Sequence, residues 1–153
     1  MSKYQVTQKD FTQIQEKLEE KKGKLKELRA VKADTAENCG DQWHDNPAFS
    51  DLESKERVLM KEIRELKDKI SMLEIVNPKP ESNCVAIGNI VTIEFDDGYT
   101  QTVEIVGHMS GKPPTQIAYD SPIGTAIMGA KPNETRSFFV ERHEIKVTIK
   151  EVI

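Results

Sequence analysis

The sequence has little cysteine, few aromatic residues and no long apolar run. The two cysteines, Cys39 and Cys84, fall at opposite ends of a predicted helical rod roughly 40 Å long at 1.5 Å rise per residue. A disulfide needs Cα atoms within about 7 Å, so free thiols and a reducing cytoplasm are expected. No apolar stretch is long enough to cross a membrane. The start, Met-Ser-Lys-Tyr-Gln-Val, lacks the apolar core of a signal peptide. Hydrophobic residues make up 37% and charged residues 31%, which argues against one large core and for extended, solvated surface. A net charge of −4 does not suit a general nucleic-acid binder. The last absence is local. Between residues 33 and 54 there is no Lys or Arg, yet the window holds Asp34, Glu37, Asp41, Asp45, Asp51 and Glu53.

What is present around that window is helical. Thr7 and Asp10 form a capping-box-like start. Phe11, Ile14, Leu18, Leu25 and Leu28 then follow one heptad seam, with Lys21 at the skipped position. The helix should fade between Asp34 and Gly40, where glycine can turn the chain. Asn46 suits an N-cap and Pro47 the first position of a second helix. Its seam reads Phe49, Leu52, Glu56, Leu59, Ile63, Leu66, Ile70 and Leu73. Two heptad arms of similar length joined by a short turn predict an antiparallel coiled-coil hairpin over residues 1–76. Separate coiled-coil dimers are the competing arrangement, and the short turn argues against them.

Prolines 78 and 80 mark a linker at 77–84. Beyond it heptads give way to alternation at Val91, Ile93 and Phe95. Asp96-Asp97-Gly98 predicts a hairpin turn, with a returning strand over 99–106. A Gly/Pro-rich loop, a short strand at 117–119, and a short helix opened by Ser121 and Pro122 should follow. Strands over 135–140 and 144–152 close the domain. The expected class is α+β, a hairpin plus a mostly antiparallel sheet domain at 85–153 with one short helix.

Asp41 and Asp45 near the turn could share a Mg²⁺ if a partner supplied the remaining ligands. Asp is also a common turn and cap residue. His44 could be a ligand, a base or an ordinary loop residue. Trp43, the only tryptophan, either folds back on the helix ends or anchors a partner. Lys21, Lys22, Lys24, Lys26, Arg29 and Lys32 crowd the outer half of the first helix against Glu27 alone. They read as a solvated face or as a patch that meets phosphates.

Three passages carry a resemblance over nearly the whole chain: the turn from Gly40 to Asn46, the heptad run from Phe49, and Tyr119-Asp120-Ser121-Pro122-Ile123-Gly124-Thr125-Ala126-Ile127-Met128-Gly129-Ala130-Lys131. The chain resembles the bacterial GreA and GreB transcript cleavage factors. The last passage is similar to the family's Ser-Pro-Leu-Gly-x-Ala-Leu-Leu-Gly-x-Lys segment. The resemblance implies an FKBP-like C-terminal domain that binds RNA polymerase at the rim of its secondary channel. It places Asp120, Ser121, Pro122, Ile123 and Gly124 in the docking region. It implies a coiled coil inserted into the channel and a tip that helps hold Mg²⁺ in the polymerase active site. Lys22, Lys26 and Arg29 would then lie near the nascent RNA 3′ end. Such a factor is not itself an enzyme, binds no cofactor tightly, and acts as a monomer.

Asp41 matches the first tip aspartate of the family pattern Asp-x-x-Glu. Asp45 stands for the glutamate only with one extra residue, and without a gap His44 takes that place. A channel-binding regulator that does not promote cleavage is therefore the alternative reading. A peptidyl-prolyl isomerase is a third, argued against by a C-terminal half without tryptophan, whose aromatics are Phe95, Tyr99, Tyr119, Phe138 and Phe139.

Overall fold

A computed structural model describes residues 3–78 and 83–153. In chain order they form β1 (Tyr4–Val6), α1 (Gln8–Cys39), a 3-10 helix (Gly40–Asp45), α2 (Pro47–Ser71) and β2 (Leu73–Ile75). Then follow β3 (Ile90–Phe95), β4 (Thr100–Val106), β5 (Gln116–Ala118), α3 (Pro122–Ile127), β6 (Thr135–Val140) and β7 (His143–Val152). The chain divides into two compact units, Thr12–Met72 and Met1–Phe11 with Leu73–Ile153.

The capping box at the start of α1 is present. Asp10 N donates to Thr7 Oγ1 at 3.1 Å, and Asp10 Oδ2 accepts from Thr7 N at 3.2 Å. These bonds satisfy backbone donors that a helix start otherwise leaves open. α1 then runs 32 residues and α2 25 residues. Ile14, Leu18, Phe49 and Ile63 of the seam are buried. The other seam positions within the helices are half-buried, Lys21 and Glu56 among them. Lys21 pairs with Glu62, Arg29 with Glu56, and Lys32 with Glu53. Partner numbers fall along α2 as they rise along α1, or nearly so, which is the register of an antiparallel hairpin.

The helical unit is shorter than residues 1–76. The heptad phase carries through Leu73, but α2 stops at Ser71 and Leu73 opens β2. β2 pairs in parallel with β1, Tyr4 opposite Leu73 and Val6 opposite Ile75. Those ladder bonds take over where the helix ends. Residues 4–6 and 73–75 thus pair as strands outside the helical unit, a pairing of two three-residue strands that the sequence pattern does not reveal. The expected linker at 77–84 lies in part outside the described residues.

The larger sheet has the order β5-β4-β3-β7-β6. β4 and β5 run parallel and the other neighbours antiparallel. Alternation sends Val91 and Ile93, Val103 and Ile105, and Val147 and Ile149 to one face. They form a core with Val85, Ile87, Ile127 and Ala130. α3 packs beside β5 and β6 and contributes Ile127, which is fully buried. The α+β class matches the sequence expectation, and so does the element order apart from β1 and β2.

Candidate functional site

Two regions carry the residues singled out by the sequence, one in each unit. The first is the turn between α1 and α2. It is a 3-10 helix of six residues with none buried. Gly40 enters it at φ 56°, in the left-handed region. Asn46 closes it, donating through its backbone to Trp43 O at 3.2 Å. Its side-chain oxygen accepts from Ala48 N at 2.9 Å and so caps α2. Its amide nitrogen contacts Cys39 Sγ at 2.8 Å, across the turn.

Asp41, His44 and Asp45 are all exposed. The winding decides which can act together. Side chains at i and i+3 of a 3-10 helix eclipse, and the rise is about 2.0 Å per residue. Asp41 and His44 therefore share one face, about 6 Å apart along the axis. Asp45 lies about a third of a turn away and about 8 Å along. A Mg²⁺ with oxygen ligands at about 2.0 Å is reached more readily from one face than from two. Imidazole is a poor ligand for so hard an ion, so the shared face offers Mg²⁺ one carboxylate. Among the described residues no group of three His, Cys, Asp or Glu side chains could hold a metal.

Trp43 folds back, as one of the two expectations had it. Its ring meets the buried Phe49 edge-on at 4.7 Å, and His44 lies over it at 3.4 Å between centroids. Lys32 Nζ stands 5.3 Å from the Phe49 ring. The ring cluster is a plug at the open end of the seam, and a cation–π contact of this kind adds about 0.5–1 kcal/mol.

The basic stretch is more balanced than its sequence suggests. Lys22 pairs with Glu19 and Lys24 with Glu20 inside α1. Lys21, Arg29 and Lys32 reach acids on α2. Glu27 is the one acid interleaved with the six cations, but acids one turn back and across the hairpin pair with most of them. Of the three proposed RNA neighbours, Lys22 and Arg29 are in ion pairs. Lys26 is exposed and makes none among the described residues. Lys32 and Arg29, hydrogen-bonded to Glu56, hold its carboxyl below the usual range.

The second region is the start of α3. Ser121 Oγ accepts from Gly124 N at 3.1 Å and donates to Ala118 O at 2.7 Å. Pro122 takes the first helical position. A Cβ on Gly124 would lie 2.1 Å from Ala118 O, so only glycine lets α3 sit this close to β5. Of the five expected docking residues, Asp120 and Pro122 are exposed and Ser121 is half-buried by its cap. Ile123 packs against the core and Gly124 is buried. Gly124 does not face solvent, and Ile123 is half-buried like Ser121. An apolar hollow beside them is lined by Pro113, Pro114, Ile117, Ser121 and Ile123, with no aromatic ring in its wall. That wall lacks what an isomerase pocket needs.

The sequence pattern does not signal His108, or the second partner of Asp10. His108 Nδ1 contacts Asp120 Oδ2. Asp10, only 4% exposed, accepts from Gly107 N at 2.9 Å. The capping box was visible, but nothing local signalled a partner 97 residues away.

Fold and sites together describe a factor with an exposed acidic turn on a helical hairpin and a capped loop on a sheet domain. A family model, Transcription elongation factor, GreA/GreB, C-term, matches residues 79–153. The chain is 32% identical over 107 residues to transcription elongation factor GreA of Chloroflexus aurantiacus, covering 68% of each chain. To that of Roseiflexus castenholzii it is 28% identical over 147 residues, covering 94% of this chain and 93% of the other. The crystal structure of Thermus aquaticus Gfh1 aligns with 99% of both chains at 18% identity and a TM-score of 0.47. The chain belongs to the GreA/GreB family of transcription elongation factors. As a member of that family it is not itself an enzyme. No helix among the described residues is long and apolar enough to cross a membrane.

Proposed function

We propose that this chain binds bacterial RNA polymerase at the rim of the secondary channel through the loop at Asp120, Ser121 and Pro122. Its hairpin enters the channel, and the tip stimulates cleavage of backtracked RNA by the polymerase's own active site. The factor works in the cytoplasm as a monomer. The observation that carries this reading is the exposed 3-10 turn bearing Asp41 in a window without a single cation. A Mg²⁺ shared with the polymerase would activate water and stabilise charge on the scissile phosphate. Asp41 would contribute a carboxylate oxygen there, and His44 on the same face would orient or deprotonate water. Asp45 contributes charge next to them. Lys26, with Lys22 and Arg29 where their ion pairs open, would lie near the displaced RNA 3′ end.

One observation favours a second reading, a channel-binding regulator without cleavage. The shared face carries a single carboxylate, since its i+3 position is His44 and Asp45 lies off that face. Reconstitution with a polymerase stalled and backtracked on a template separates the two. Cleavage reading predicts a shortened transcript and resumed elongation on adding the factor. An intact transcript with slowed elongation would establish the regulator instead.

A further inference from the structure

The loop after β4 runs along residues 4–10 and then returns to Asp120. His108 N donates to Gln5 O at 2.9 Å, and Gln5 N donates to the Tyr119 hydroxyl at 3.0 Å. A Cβ on Gly107 would lie 2.6 Å from Val6 Cα, so the two backbones are in direct contact. The His108 ring stacks on Tyr4 at 3.9 Å with 11° between planes. Its Nδ1 meets Oδ2 of Asp120. The side chains are 20% and 31% exposed, so the contact is partly shielded from water. One imidazole thus touches both the strand leading into α1 and the carboxylate that opens the α3 loop.

We propose that His108 is a positioning residue of the docking loop: it holds the Asp120 carboxylate in the orientation that meets the polymerase and fixes it, through Tyr4, to β1. This rests on the reading of residues 120–122 as the polymerase-binding loop. An aspartate on a loop loses rotamer freedom when a partner orders it, and a carboxylate already held loses less. The contact uses Oδ2, and a carboxylate has a second oxygen with which to accept from a partner. Tyr4 supplies the rigid face that keeps the imidazole from swinging away.

The test is equilibrium titration of core polymerase with fluorescently labelled full-length factor, with melting temperatures measured alongside. His108→Leu should weaken binding about tenfold, the size of one lost charge-assisted hydrogen bond. His108→Asn keeps an N–H donor near the position of Nδ1 and should stay within about threefold of the parent. In an Asp120→Ala background His108→Leu should add less than about twofold, because the partner is already gone. Parent-like binding by His108→Leu, a loss that adds fully to that of Asp120→Ala, or equal losses for Leu and Asn would each overturn the proposal. Tyr4→Leu leaves His108 in place but unstacked and gives the same comparison should His108→Leu fold poorly. It should weaken binding several-fold in the parent and not in the Asp120→Ala background. Parent-like binding by Asp120→Ala itself would instead show that the docking assignment has failed, a different outcome from a failure at His108 alone.

Discussion

Asp41 and His44 stand three residues apart on a 3-10 turn, and Asp45 stands four from Asp41. Each can therefore be tested by a substitution of nearly constant volume. Asp41→Asn removes the one carboxylate on the shared face, and cleavage stimulation should fall about a hundredfold, as for other misplaced catalytic groups. Asp45→Asn should cost much less, and His44→Glu should raise stimulation at low Mg²⁺ by adding a second hard ligand. The readout is the rate of transcript cleavage in a backtracked complex across a Mg²⁺ series. An Asp45→Asn loss as deep as that of Asp41→Asn would mean that the turn rewinds and the two aspartates act as a pair. Stability should change little for the two aspartate variants, because neither residue is buried, whereas His44→Glu also loses the ring contact with Trp43. The residue types at this site were legible in the sequence, whereas the fold-back of Trp43 was one of two arrangements that the sequence left open, and the contact with Phe49 decides between them. The facing of Asp41, His44 and Asp45 was not legible, because it depends on whether six residues wind as 3-10 or run as a loop.

Within the hairpin the element that stands out is α2, whose seam carries Glu56 in place of an apolar residue. Its side chain is 14% exposed and lies against Lys32 Nζ and Arg29 Nε, each at 2.7 Å. Bonded to these two cations, it has a carboxyl pKa depressed from the ordinary 4.5. A depressed folded-state pKa gives stability that is present above 4.5 and lost as pH falls through the lower folded value. Glu56→Gln should therefore destabilise the protein at pH 7 by about 1 kcal/mol or less, as partly solvated pairs do. The difference from the parent should shrink in urea titrations below the ordinary carboxyl range. A penalty that persists unchanged at low pH would show that packing, not charge, holds Glu56 in the seam. Caps and seams of the helices were legible because their chemistry is local: Thr7 with Asp10, Asn46 with Pro47, and Ser121 with Pro122. β1 and β2 were not. Each has three residues, too few for alternation, and their ladder joins Tyr4 to Leu73 across the whole hairpin. Leu73 was in phase with the heptads, and no Gly or Pro precedes it to stop the helix.

Across the whole molecule, the residues proposed to dock and those proposed to act belong to different compact units, the first beyond Leu73 and the second within Thr12–Met72. Affinity and action should then separate. Ser121 is a poor probe of docking, because its hydroxyl caps α3 and its loss costs about 1 kcal/mol of fold stability. Pro122 is exposed at the first helical position, where alanine is also tolerated, so Pro122→Ala leaves the cap in place. If Pro122 meets the polymerase rim as an anchoring contact, Pro122→Ala should weaken binding about tenfold. Transcript cleavage by this variant should return to the parent rate when factor concentration is raised by the same factor. Asp41→Asn should behave in the opposite way. It should bind as tightly as the parent, stay inactive at any concentration, and block cleavage by the parent when the two are mixed. These expectations are checked by cleavage rates over a concentration series for each variant, with circular dichroism to confirm the fold. Should raised Pro122→Ala fail to restore cleavage, the loop takes part in the reaction and docking and action are not separate. If Asp41→Asn does not compete, the tip itself contributes to binding, and its aspartate then serves as an anchor in the channel besides any role in holding Mg²⁺.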